Sequence, residues 1–240
     1  MSANPTTLQA MLTLLRQRTN MENNQFVTDA ELISYLNNSL CLLDGILISK
    51  YNDYKLTLAM ASVVPGTNYL ALPDDFLKLK MLEVNYTQGQ VDGYLTLSQY
   101  GARQKNRKPY PTGGSLTYGP YQMEYRLEGN KISLIPFQSA AQWTYRISYA
   151  PDYVPLVNTT DTLQSYMDSQ AWYEYAICDS AVKILAKQDL DPSIFMAQAA
   201  ELKNHIIALS APNRNAGEPA HVVDFDRGFG DHGGGWGWSW

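Results

Sequence analysis

Apolar residues recur at helical spacing near both ends of the chain and at spacing two between them. Residues 168–188 carry the strongest helical pattern and contain no Gly or Pro. Advanced by about 100° per residue, Trp172, Tyr175, Val182 and Leu185 share one side, and Tyr173, Ile177 and Ile184 share another. Asp179, Lys183 and Lys187 gather most of the charge into a narrow stripe, with Asp179 and Lys183 at the favourable i,i+4 spacing. A helix apolar over most of its circumference sits between other elements, so this one is expected at the centre of a helical bundle.

The covering helices are predicted on either side of it. Residues 5–19 place Leu8, Met11, Leu12 and Leu15 on one stripe, with Pro5 near the start and Arg16 and Arg18 near the end. Thr28 and Glu31 form a capping-box signature, and Val27 and Leu32 a hydrophobic staple. Leu32, Leu36, Leu40, Leu43 and Leu47 carry the following helix to about Ser49. Asp191-Pro192 opens a last helix in which Phe195, Ala199, Leu202, Ile206 and Leu209 form the buried stripe, and Pro212 stops it.

Between residues 54 and 150 the period shortens to two. Strands are predicted at 55–61, 69–73, 77–86, 121–127, 131–136 and 142–149. A turn lies at 63–67, a hairpin at Glu128-Gly129-Asn130, and Trp143, Tyr145, Ile147 and Tyr149 share one face. Ser98 is expected to cap a short helix over 98–107. The predicted class is α+β: a helical bundle interrupted by an inserted antiparallel β-domain and followed by an extended C-terminal arm. Its parts are residues 1–53, 54–150, 151–212 and 213–240. The bundle core is assigned to Leu36, Leu40, Leu43, Trp172, Tyr175, Val182, Leu185, Phe195, Leu202 and Ile206.

Composition sharpens this in several places. A chain of 240 residues with 45% hydrophobic content can bury a sizeable core. A net charge of −5 argues against a general nucleic-acid binder. Cys41 and Cys178 fall in predicted helices and are expected as buried, reduced thiols. No secretory signal precedes residue 8, and no apolar stretch is expected to approach the roughly 18–20 residues that span a bilayer. Those features predict a soluble, cytoplasmic chain. Seventeen tyrosines and five tryptophans suit either a Tyr-rich sheet or protein–protein contacts. Trp236, Trp238 and Trp240 alternate, so an extended tail would put all three on one face, where a partner must bury them.

Candidate chemistry is sparse. No nucleophile has a histidine placed by a motif, and no phosphate-binding or dinucleotide fingerprint is present. His221, Asp224, Asp231 and His232 could gather a metal only on a glycine-rich tail, so no metal or cofactor is expected. Asp74-Asp75 reads as a turn, and Arg103–Lys108 as a solvated face or subunit contact. Glu22, Glu31 and Glu174 are the carboxylates a hydrolytic reading would need, and none has a convincing partner. An aromatic β-face stacking on carbohydrate or another ligand is the alternative to a purely structural role.

Four stretches in order, Phe26-Val-Thr-Asp-Ala-Glu-Leu, Leu72-Pro-Asp-Asp-Phe-Leu-Lys, Tyr125-Arg-Leu-Glu-Gly-Asn-Lys-Ile and Asn213-Arg-Asn-Ala-Gly-Glu-Pro, resemble the head-to-tail adaptor (connector) proteins of tailed bacteriophages, especially short-tailed ones. The resemblance covers roughly residues 7–224. It implies a non-enzymatic virion protein at the head–tail junction, assembled in the host cytoplasm as a dodecameric ring beneath the portal protein. Such a ring extends the channel for double-stranded DNA in packaging and ejection, and docks the tail or nozzle, with no membrane partner. It also implies a C-terminal arm docked on the portal, for which Val222, Val223, Phe225, Phe229, Trp236, Trp238 and Trp240 are the candidates.

Overall fold

Along the chain run α1 (Leu8–Arg18), α2 (Asp29–Lys50), β1 (Thr57–Ser62), β2 (Tyr69–Ala71), β3 (Phe76–Asn85), β4 (Tyr94–Thr96), β5 (Ser98–Gln99), β6 (Glu124–Glu128), β7 (Lys131–Ile135), β8 (Thr144–Pro151), α3 (Gln170–Lys187) and α4 (Ser193–Ala208). The computed structural model describes residues 6–22, 26–51, 54–64, 67–85, 93–100, 123–135, 143–167 and 170–209. The basic run 103–108 and everything from residue 210 onward lie outside the described residues.

The four described helices share one hydrophobic cluster. α1 contributes Leu8, Met11, Leu12 and Leu15; α2 contributes Leu32, Leu36, Leu40, Leu43 and Leu47. α3 adds Tyr175, Ala176, Ile177, Ala181 and Ile184, and α4 adds Ala199 and Ile206. α3 packs against each of the other three helices. Its charged stripe faces α2: Ser39 donates to Asp179 at 2.7 Å, Lys183 donates to Ser39 at 2.8 Å, and Lys187 pairs with Glu31 at 2.5 Å. Asp179 and Lys183 also pair with each other at 2.8 Å. The start of α2 is fixed by the capping box, with Glu31 N–H donating to Thr28 Oγ1 and Thr28 N–H donating to the Glu31 carboxylate. Val27 and Leu32 are both fully buried beside it. By length and mean hydropathy (1.3), α2 could cross a bilayer, which corrects the expectation that no stretch approaches that length. Here its apolar side is turned onto the other helices.

Among the described residues the strands form two four-stranded sheets, ordered β1-β8-β3-β4 and β2-β7-β6-β5, which share a second hydrophobic cluster. Among the described residues all pairings are antiparallel except β5 with β6, so the sheets are not purely antiparallel. The predicted helix capped by Ser98 is also corrected: Ser98–Gln99 is β5. Leu97 and Tyr100 are buried on either side of it, and parallel pairing with β6, Ser98 opposite Glu124 and Gln99 opposite Tyr125, holds the backbone extended. The β6–β7 hairpin turns at Gly129-Asn130, where Gly129 has φ +57°, a conformation that favours glycine.

β1 is inverted relative to its hydrophobicity. Ala59 and Ala61 pack on the sheet cluster, while Leu56, Leu58 and Met60 point outward at 45%, 59% and 60% exposure.

Helices and sheets are joined by buried and half-buried polar contacts. Lys55, just ahead of β1, pairs with Asp44 of α2 at 3.0 Å and donates to the Asp152 carbonyl at 3.1 Å. Tyr166 donates to the other Asp44 oxygen at 2.9 Å. Lys80 of β3 donates to the Ile48 carbonyl, at the end of α2, at 3.0 Å.

Candidate assembly surfaces

Catalytic groups are scattered. Glu31 is committed to the capping box and Lys187. Glu174 is ion-paired with Arg18, Glu22 is exposed, and Asp75 accepts the Tyr149 hydroxyl at 2.8 Å. His205 is exposed on α4. Among the described residues, no group of three or more His, Cys, Asp or Glu side chains comes close enough to hold a metal. The tail candidates His221, Asp224, Asp231 and His232 lie outside the described residues.

A cavity of about 660 Å³ opens between α1, α3 and α4, lined in part by Arg18, Glu174, Cys178, Phe195 and Gln198. The Cys178 thiol lies 3.7 Å from the Gln198 side-chain oxygen. Burial first, and then the Glu174 carboxylate, push that thiol up to about 11 despite the nearby Arg18. It therefore stays protonated and unreactive near neutrality. Cys41 corrects the sequence expectation: it is free but exposed, because it sits on the side of α2 opposite the leucine stripe.

Titrating the native chain with a disulfide reagent at pH 8 should consume one thiol, Cys41, and a second only after denaturant is added. Since Cys178 titrates higher folded than unfolded, its contribution to stability is complete below about pH 9 and falls as pH rises from about 9 to about 11. Rapid reaction of both thiols in the native chain would overturn this.

The residues assigned to the bundle core take differing positions. Leu36, Leu40, Leu43 and Ile206 are fully buried, and Tyr175 and Leu185 nearly so. Trp172, Phe195 and Leu202 are half-buried against the helical cluster, and Val182 is half-buried. Trp172 also joins Tyr51, Tyr54 and Tyr166 in an aromatic group at the sheet-facing end of the helices, with ring centroids 4.9–5.8 Å apart. Of the aromatic face on β8, Tyr145 is 1% exposed and Tyr149 4%. Those two rings are spent on the sheet core and offer no face for stacking on a carbohydrate. The arm candidates Val222, Val223, Phe225, Phe229, Trp236, Trp238 and Trp240 lie outside the described residues.

What remains on the outside is apolar surface suited to partners. One patch is the outer side of β1, where the Tyr94 hydroxyl lies 3.8 Å from the Met60 sulfur and the Tyr94 ring lies 4.2 Å from the Arg146 guanidinium. Arg146 is held by a bidentate pair to Glu83. A second patch surrounds the α3–α4 turn, with Leu190, Ile194 and Met196 each more than half exposed. Neither was singled out in the sequence. The signal for the first was present: small residues alternate there with large ones.

The sequence model of the SU10 adaptor protein family matches residues 6–222, which include every helix and strand among the described residues. The chain belongs to this family. It is a phage adaptor, and the resemblance to head-to-tail adaptors holds over nearly the whole sequence. Membership makes the adaptor a structural component of the virion at the head–tail junction, associated with portal and tail components. No curated protein matches the adaptor chain. The family match ends before Val223, so the Gly/Trp segment of this adaptor lies beyond it.

Proposed function

We propose that the adaptor assembles as a dodecameric ring beneath the portal protein, extends the DNA channel and docks the tail or nozzle without catalysing a reaction. The family match over residues 6–222 carries this reading. Double-stranded DNA passes through the channel without specific binding during packaging and ejection, in keeping with a net charge of −5. The helices, residues 1–53 and 151–212, act as one unit, residues 54–150 as an inserted β-unit, and 213–240 as an arm. That arm anchors on the portal through Val222, Val223, Phe225, Phe229, Trp236, Trp238 and Trp240. Aromatic anchors on an extended segment suit ordering upon a partner. Assembly takes place in the host cytoplasm.

The test mixes the adaptor with portal rings from the same source and measures the mass of the complex. The full-length chain is compared with a version ending at Gly217. A ring's worth of added mass with the full chain, and none with the shortened one, supports both the ring and the anchoring arm. Full addition by both forms removes the arm from the interface. No addition by either defeats the portal reading.

A further inference from the structure

We propose that the outer edge of β1 is a docking strand for the chain's own C-terminal tryptophan segment, residues 236–240, added alongside Leu56–Met60. β1 ends its sheet: among the described residues it is hydrogen-bonded to β8 on one side and to no strand on the other. Exposed edges are normally blunted by a lysine, a proline or a bulge. β1 has none of these: its sequence is Thr-Leu-Ala-Met-Ala-Ser, and all six residues pair with β8 in unbroken register. β3, by contrast, has two register shifts. The outward side chains are the large ones, Leu56, Leu58 and Met60. An edge left open with its greasy face outward is one that a strand covers.

The tail matches that edge position for position. Trp236, Trp238 and Trp240 recur at spacing two, as do Leu56, Leu58 and Met60. In an added strand the three indoles fall on one face, opposite the three apolar side chains, in cross-strand contact. Gly237 and Ser239 then fall on the other face, beside Thr57, Ala59 and Ala61, where small residues fit. The Tyr94 ring, with its hydroxyl near the Met60 sulfur, extends the same apolar platform.

The path of the chain favours its own tail over other occupants. The last turns of α4 pack on the end of α2, where the Tyr51 hydroxyl donates to the Ile206 carbonyl at 2.9 Å, and Tyr51 precedes Thr57 by six residues in sequence. Residues 210–235 span up to about 85 Å when extended, so reach does not limit docking. Tethering presents the segment at an effective concentration in the millimolar range. Docking hides the open edge and the indoles together. If the arm also anchors on a portal, the two sites compete for one segment, and the portal must displace β1. The docking itself does not depend on that anchoring.

The test uses the isolated full-length chain. Quenching of tryptophan fluorescence by acrylamide is compared between the natural chain, the Leu58→Glu/Met60→Glu variant and a Leu127→Glu control on β6. Docking predicts that the double variant gains quenchable signal equivalent to three of the five tryptophans, while its circular dichroism and the control's quenching are unchanged. As a second reading, the Met60 methyl resonance, assigned by Met60→Leu, should carry an indole ring-current shift. That shift should be lost when Trp236, Trp238 and Trp240 are all changed to alanine. Equal quenching in all three chains, or a Met60 methyl unmoved by loss of the indoles, overturns the proposal. Shielding that disappears on dilution together with a dimer's mass also overturns it, and assigns the edge to a second copy. None of these results bears on whether the arm anchors on a portal.

Discussion

Replacing Lys55 by alanine is expected to lower the unfolding free energy by about 3–5 kcal/mol, the usual cost of stranding one partner of a buried ion pair. The Lys55 and Asp44 side chains are 8% and 1% exposed and lie 3.0 Å apart. Without the ammonium, the carboxylate keeps the Tyr166 hydroxyl at 2.9 Å but no cation. In a chain of this size the loss corresponds to a fall in thermal midpoint of roughly 10 °C. Lys55 also ties α2 to the Asp152 carbonyl at the end of β8, so helical and sheet signals should separate during unfolding of the variant. An Asp44→Asn/Lys55→Met variant removes both charges and leaves Tyr166 an acceptor. It should recover most of the stability, because the cost lies in the unpaired charge rather than in the absence of the pair. Chemical denaturation followed by circular dichroism decides this. A loss below about 1 kcal/mol for Lys55→Ala would mean that water reaches Asp44.

The second large effect is at Leu40. Leu40 is fully buried in the helical cluster, and its truncation to alanine is expected to cost about 2–5 kcal/mol, with the spread set by how far the site collapses. Leu42, two residues along, is 54% exposed, and the same change there should stay within about 0.5 kcal/mol. Equal losses at the two positions would show that α2 is rotated relative to this description.

Where local rules act alone, the sequence was readable. The α2 cap needs only Thr28 and Glu31, the β6–β7 turn needs Gly129, and the amphipathic stripe of α1 is buried where periodicity placed it. Features set by tertiary context were harder to read. Ser98 has the chemistry of a helix cap, yet parallel pairing with β6 claims it. β1 offers two uncharged faces, and nothing local tells the chain that the alanine side must fit the crowded sheet interior. Cys41 and Asp44 lie three residues apart on one apolar helix, and only the neighbours decide that the thiol is exposed and the carboxylate buried. Lys55, the partner that makes Asp44 tolerable, comes from the far side of the helix end. At the assembly level, the four motif stretches carried the family, whereas the β1 edge and the α3–α4 turn became visible only with the fold.

The central position of α3 also sets an order of events on the ribosome. α1 and α2 are made first, yet the helix that covers them emerges only after both sheets. Arg18–Glu174 and Glu31–Lys187 close loops of 156 residues, and Ser39–Asp179 one of 140. Until then, the leucines of α2 have no α3 to meet. The sheets pair mostly within their own stretch of chain and can form ahead of the helical layer. A nascent chain stalled before residue 170 should therefore carry a folded sheet and two helices still open to chaperones. Closure of the helical layer then becomes the step that loop entropy slows.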